Sequence, residues 1–237
     1  GELIRIEVFC HGALCMAVSG KCYLSLDNFN TSANRGACVQ PCRRGYTVQD
    51  RDQEITLAIE NEYIMSPKDL CTLPFLDKVL DAGVKILKIE GRGRSPEYTK
   101  VTVGVYSEAV KALQNGEFTE EKIAEWTERL RSVYNRDFWD GYYLGRKTGE
   151  WTQRYGSQAT KTKIFVGTVT NFFAKINVAE IRMETQDLKV GDDIMIIGPT
   201  TGVYEDKLSE IRVDLKPVEA TEKGELCNTE KKWQKYL

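Results

Sequence analysis

Apolar and polar positions alternate along the chain in two different rhythms, and the change from one to the other divides the sequence. Ile4–Phe9 alternates with Arg5 and Glu7 and predicts a strand. GYTVQD and ITLAIEN flank the charged RDQE and predict a hairpin. Ser66 followed by Pro67 predicts a helix start, with the helix running through Cys71 to about Asp81 and ending near Gly83. VKILKIE predicts another strand and GRGRS the tight turn after it. Helical spacing returns from about Pro96 to Gln114, and again in TEEKIAEWTERLRSVYN from Thr119. Strand–loop–helix followed by strand–turn–helix is the rhythm of a parallel sheet or (β/α) barrel.

Near Glu150 the composition turns polar, and 151–160 is expected to be a linker. Beyond it, IFVGTVTNFF, AKINVAEIRM, VGDDIMIIGP and LSEIRVDL are short alternating stretches separated by turn signals. They predict a small antiparallel β-barrel or sandwich, with GPTTG a turn between strands. The expected organisation is therefore an α/β part over 1–150, a linker over 151–160 and a β domain over 161–237. Because the chain enters a strand almost at once from Gly1, the first part is expected to be the later part of a longer fold.

One stretch escapes periodicity. Glu7–Arg44 holds five of the seven cysteines and the one histidine, in a long loop of a kind that usually carries function. Disulfides, zinc or an iron–sulfur cluster would explain such clustering. Seven unevenly spaced cysteines argue against a secreted disulfide scaffold and place the chain in the cytoplasm, with thiols reduced or metal-bound. Four-thiolate zinc sites usually come as paired C-x2-C knuckles, which are absent.

His11 follows the first strand, at the end where barrel enzymes place their chemistry, and is a candidate proton donor or substrate contact. Lys88 and Glu90 share one side of a strand, with Arg92 and Arg94 on the turn beyond. Guanidinium forks suit carboxylate or phosphate, so this turn, with Arg43 and Arg44, is a candidate substrate site. The bland alternative is a structural Glu90–Arg92 ion pair. A net charge of −2 over 237 residues makes no whole-chain case for nucleic acid or anionic membrane, and no apolar run approaches a membrane span.

The stretch E-x-F-x-H-G-A-L-C-x6-C-x-L-S, continued by N-R-G-x-C-x3-C-R, resembles the U-32 peptidase family, the collagenase-like proteases. SPKDLC at 66–71, KIEGR at 88–92 with Ser95 and Pro96, and VGDDIMIIGPTTG at 190–202 extend the resemblance over nearly the whole chain. It implies the second half of a (β/α) TIM-like barrel followed by a small C-terminal β-barrel, completed by an upstream half or a second chain. Some members are peptidases; others resemble oxygen-independent hydroxylation proteins carrying a 4Fe–4S cluster. The C-terminal barrel places the resemblance nearest to members that hydroxylate tRNA wobble uridine with prephenate, a dicarboxylate, as hydroxyl source. Carried over by motif, the ligands would be Cys15, Cys22, Cys38 and Cys71, with Cys42 the rival, and His11 and Glu90 the catalytic candidates. Cys10 and Cys227 remain unassigned. Proteolysis and a zinc-stabilised, non-catalytic binding protein are the competing readings.

Overall fold

The computed structural model describes residues 4–18, 21–48 and 62–230. Most of the expected hairpin, at 49–61, lies outside them. The chain divides into two compact units, Gly1–Lys161 and Thr162–Leu237.

The first unit is built on a four-stranded sheet in the order β3-β1-β2-β4. β1 is Glu7–Gly12, β2 Asp69–Cys71, β3 Ile86–Ile89 and β4 Phe138–Trp139. β1 runs parallel to β3, and β2 to β4, but β1 and β2 are antiparallel. The expected α/β class is present, whereas the described residues form a mixed, open sheet and no closed barrel. β2 corrects the expected helix over 66–81. The Ser66-Pro67 signal is overridden because Cys71 and Leu70 pair with His11 and Gly12 on one side, and Asp69 and Leu70 with β4 on the other. A 3₁₀ turn at Leu73–Phe75 then leads into helix α2, Leu76–Asp81.

β1 carries a register shift against β3 between Phe9 and His11. Such a bulge breaks strict alternation, and Cys10, His11 and Gly12 are all buried. Gly12 sits at φ +114°, where a Cβ would fall 2.5 Å from the Glu90 carbonyl oxygen, so only glycine lets β1 and the chain after β3 approach. Helix α3, Pro96–Asn115, starts after Ser95 with proline in its first turn and stops at Gly116 in the left-handed region. Helix α4, Glu120–Arg131, is capped by Thr119, whose hydroxyl accepts from the Lys122 amide. These helices close a core of Cys10, Cys71, Leu73, Leu76, Val105, Tyr106, Trp126 and Leu130.

The stretch 151–160 makes hydrogen bonds within the first unit. Pro67 bridges to Trp151, the Thr152 amide donates to the Ser66 carbonyl at 2.8 Å, and the Gln158 amide donates to the Asn135 carbonyl at 2.8 Å. Its polar side chains follow the surface of the first unit, where local hydrogen bonds hold the strap in place. The second unit is antiparallel, as expected, but wound as two sheets. One has the order β10-β9-β11-β6-β5 and the other is the hairpin β7-β8. Its strands are β5 Gly167–Phe173, β6 Val178–Met183, β7 Asp193–Gly198, β8 Gly202–Lys207, β9 Ile211–Val213, β10 Lys216–Val218 and β11 Leu226–Glu230. Inward positions Ile181, Met183, Ile211 and Cys227 form its core, so Cys227 is a packing residue.

One polar group is buried at the centre of the first unit. Asp69 is 1% exposed and binds the Arg94 guanidinium at 3.0 Å, the Arg136 amide at 3.2 Å and the Arg136 guanidinium at 3.5 Å. The Tyr134 ring lies between the same cations, 3.9 Å from Arg94 and 5.2 Å from Arg136. Asp69→Ala strands two buried guanidiniums, and denaturant unfolding is expected to show a loss of about 3–5 kcal/mol. Glu7→Gln, at the exposed pair with Lys88, is expected to cost at most about 1 kcal/mol.

Candidate functional site

The loop after β1 is folded by helix α1, Leu24–Phe29, and by 3₁₀ turns at Ala33–Arg35 and Pro41–Arg43. It brings thiols together. Burial pushes the Cys42 thiol above its ordinary value, Arg43 opposes this, and Cys15, Cys38 and Cys22 each add to the rise. Cys15, Cys38 and Cys22, from separated points of the loop, therefore each lie within electrostatic reach of the Cys42 sulfur. Cys15 and Cys38 are exposed; Cys22 and Cys42 are half-buried. Ser25 accepts the Val39 amide at 3.2 Å and directs its own hydroxyl at Cys38 Sγ, 3.9 Å away, which sets the orientation of that sulfur.

Cys71 lies on β2, outside the loop. Its thiol is 4% exposed, packs with Cys10 in the core, and approaches the Tyr106 hydroxyl at 3.8 Å. Burial pushes it up to about 11, and burial, then Cys71, pushes Cys10 up to about 12. Burial disfavours the charged thiolate at both positions. Cys42, the rival, is the loop thiol that feels Cys15, Cys22 and Cys38.

His11 is 2% exposed within a cage of Tyr98, Tyr106 and Phe138 rings. The Tyr106 hydroxyl donates to the Cys10 carbonyl at 2.8 Å, leaving its oxygen to accept from His11 Nδ1 at 3.4 Å. Burial, and then Arg94, pull the imidazole down to about 3. A proton donor near neutrality needs a charged, accessible ring, and burial works against both at His11.

The expected substrate turn also has other duties. Lys88 pairs with Glu7 at 3.0 Å and lies over Phe9. Glu90 accepts the Arg92 amide at 2.8 Å through its side chain and the Tyr98 hydroxyl at 3.1 Å through its backbone carbonyl. The Arg92 guanidinium donates to the Gly36 carbonyl, just ahead of Cys38, and Arg94 is committed to Asp69. Arg43 donates to the Leu14 carbonyl at 2.7 Å, to Ser66 Oγ at 3.1 Å and to the Pro67 carbonyl. Arg92 and Arg43 are thus struts that tie the thiol-bearing loop to the sheet.

Beside Cys38 lies a cavity of about 370 Å³ that the sequence reading missed. Arg43, Arg44, Arg136 and Arg154 line it, with Tyr134 and Tyr155. Arg136 also donates to Gln40 Oε1 at 3.1 Å. Arg136 and Arg154 belong to segments read as a helix end and a linker, so no local pattern marked them.

The loop carries four thiols, Cys15, Cys22, Cys38 and Cys42, and thiolates are the donors that iron–sulfur clusters take. Among the described residues, no three His, Cys, Asp or Glu side chains are arranged to hold one metal ion.

Residues 2–153 match the profile of peptidase family U32. The chain is 57% identical over 225 residues to a collagenase of Porphyromonas gingivalis, covering 95% of this chain and 54% of that protein. An uncharacterized protease of Methanocaldococcus jannaschii is 37% identical, over 94% of this chain and 55% of its own length. The tRNA hydroxylation protein P1 of Bacillus subtilis is 35% identical, over 83% and 47%. The chain spans about half the length of these relatives. With one histidine in the chain, its imidazole signals are expected to stay unshifted in NMR spectra between pH 5 and 8; a midpoint near 6.5 would place His11 in solvent. The match over the first unit shows that the chain belongs to peptidase family U32.

Proposed function

We propose that this chain is part of an enzyme that modifies tRNA, hydroxylating wobble uridine to 5-hydroxyuridine with a prephenate-type dicarboxylate donor, in the cytoplasm. We assign a 4Fe–4S cluster to Cys15, Cys22, Cys38 and Cys42. The observation that carries the reading is the gathering of these four sulfurs on one loop, braced by Arg43 and Arg92. Similarity to tRNA hydroxylation proteins supports the substrate. The resemblance also supports reading the mixed sheet as part of a barrel completed by preceding strands or by a second chain.

When bound, the cluster would supply an electron-transfer and Lewis-acid centre. The chain's own residues hold and orient it. Ser25 fixes Cys38, Arg43 ties the loop beside Cys15 to Ser66 and Pro67, and Arg92 fastens the turn before Cys38. Arg43 also places a positive charge beside thiolates that would otherwise repel one another.

The similarity to a collagenase gives proteolysis as the second reading. A cysteine nucleophile needs a base within hydrogen-bond reach. The one histidine is caged and held neutral, and its neighbour Cys10 is a buried thiol pushed up to about 12, so this chain's residues favour the first reading.

Protein isolated without air is expected to carry about four iron and four sulfide per chain and to be brown. Cys42→Ser is expected to remove most of the iron and colour, whereas Cys71→Ser keeps both. Retention in Cys42→Ser with loss in Cys71→Ser would reverse the assignment of the fourth ligand. Zinc without sulfide would end the cluster reading. In cells, deletion of the gene is expected to abolish 5-hydroxyuridine in tRNA digests read by mass spectrometry.

A further inference from the structure

The turn between Cys38 and Cys42 is held in a conformation that its sequence does not favour. Gln40 sits in the left-handed region, at φ +55° and ψ +51°, where its Cβ crowds the backbone and a glutamine is uncommon. The next residue is Pro41, which steers the residue before it towards extended backbone. Gln40 thus goes against two local preferences at once, and as an exposed residue it gains nothing from burial. A glycine would take this backbone freely, and glycine does stand at positive φ nearby, at Gly12 and Gly36. What the position uses is therefore the glutamine side chain. Strain of this kind persists only where the surroundings hold it, and it gathers at functional sites.

The contacts that hold the turn come from both sides. The Gln40 carbonyl accepts the Arg43 amide at 3.0 Å, which closes the 3₁₀ turn through Cys42. Pro41 is buried, and its carbonyl accepts the Tyr46 hydroxyl at 2.8 Å. Ahead of Gln40, the Val39 amide donates to Ser25, whose hydroxyl points at the Cys38 sulfur. Arg43 ties the Cys42 end of the turn to Leu14 and Ser66. The other end is tied by one contact to a distant segment, the Arg136 guanidinium donating to Gln40 Oε1 at 3.1 Å.

That donor is itself fixed. Arg136 is buried, and Asp69 takes both its amide and its guanidinium, with the Tyr134 ring against it. The next residue, Asp137, is also left-handed, at φ +63°, and its carbonyl accepts the Asp69 amide at 2.9 Å. The Gln40 side chain therefore refers the start of the turn to the most rigidly paired group of the first unit.

We propose that Gln40 is a positioning residue: its side-chain carbonyl, taken by Arg136, sets the turn that carries Cys38 at one end and Cys42 at the other, and so the spacing at which these sulfurs meet iron. What the spacing serves rests on the reading of the loop as an iron–sulfur site. The hold of Arg136 on the turn does not depend on iron.

Three substitutions separate this role from one in stability alone. Gln40→Gly removes the side chain and the strain together, Gln40→Leu keeps bulk without an acceptor, and Gln40→Glu keeps an acceptor for Arg136. One readout is the rate at which protein isolated without air loses iron and colour to excess chelator. The other is the rate at which iodoacetamide alkylates Cys42 in metal-free protein, mapped by mass spectrometry with Cys22 as the internal reference. Gln40→Gly and Gln40→Leu are expected to lose iron about tenfold faster and to alkylate Cys42 about tenfold faster, the factor one hydrogen bond to a charged group supplies. Gln40→Glu is expected to stay within about twofold of the native protein on both. The melting temperature of metal-free Gln40→Gly is expected to stay at the native value, because relief of strain offsets the lost contact.

Native rates in both Gln40→Gly and Gln40→Leu overturn the proposal, and so does a Gln40→Glu variant as impaired as Gln40→Leu. Iron that is bound but released alike by every variant leaves the cluster reading standing and removes Gln40 from it. A native protein that never takes up iron sinks the cluster reading instead. There, faster alkylation of Cys42 in Gln40→Gly and Gln40→Leu but not in Gln40→Glu upholds the positioning role, and equal alkylation in all of them ends it.

Discussion

The first unit depends on a carboxylate that water cannot reach. Asp69 is buried on a central strand, and a lone charge there would cost several kcal/mol. Its partners come from distant parts of the chain. Arg94 arrives from the turn after β3 and Arg136 from the segment before β4. Neither guanidinium can leave without stranding the other charges, so three pieces of backbone are locked in one arrangement. Arg136 then reaches Gln40 in the cysteine loop, and Arg43 returns from that loop to Ser66 and Pro67 beside β2. The cysteine loop is thereby fastened to the sheet by arginines.

That construction separates the cysteines by environment. Cys10 and Cys71 face the apolar core, where burial raises both thiols above their ordinary value. Cys15 and Cys38 are exposed and Cys22 and Cys42 half-buried, on a loop tied to the sheet by side-chain struts. One residue type thus fills two roles, and spacing along the chain does not reveal which is which.

What the sequence shows plainly is local. Ser95-Pro96 and Gly116 mark both ends of α3, and Thr119 marks the start of α4, because caps act within a turn of the residues that carry them. Gly-Pro-Thr-Thr marks the β7-β8 hairpin for the same reason. The misplaced features are tertiary. The segment 69–71 reads as the first turns of a helix but is captured by strands on both sides. His11 and Cys10 are neighbours that a regular strand would point apart, and the register shift between Phe9 and His11 leaves both buried. Arg136 and Arg154 carry no motif at all and become cavity residues only when the 151–160 strap folds back.

The central claim is that four loop sulfurs share one iron–sulfur centre. X-ray absorption at the iron edge, on protein isolated without air, tests it most directly. The account predicts iron coordinated by sulfur with a clear iron–iron scattering shell, lost when Cys42 is replaced by serine. Absorption by zinc alone, or iron with no iron–iron shell, would contradict it.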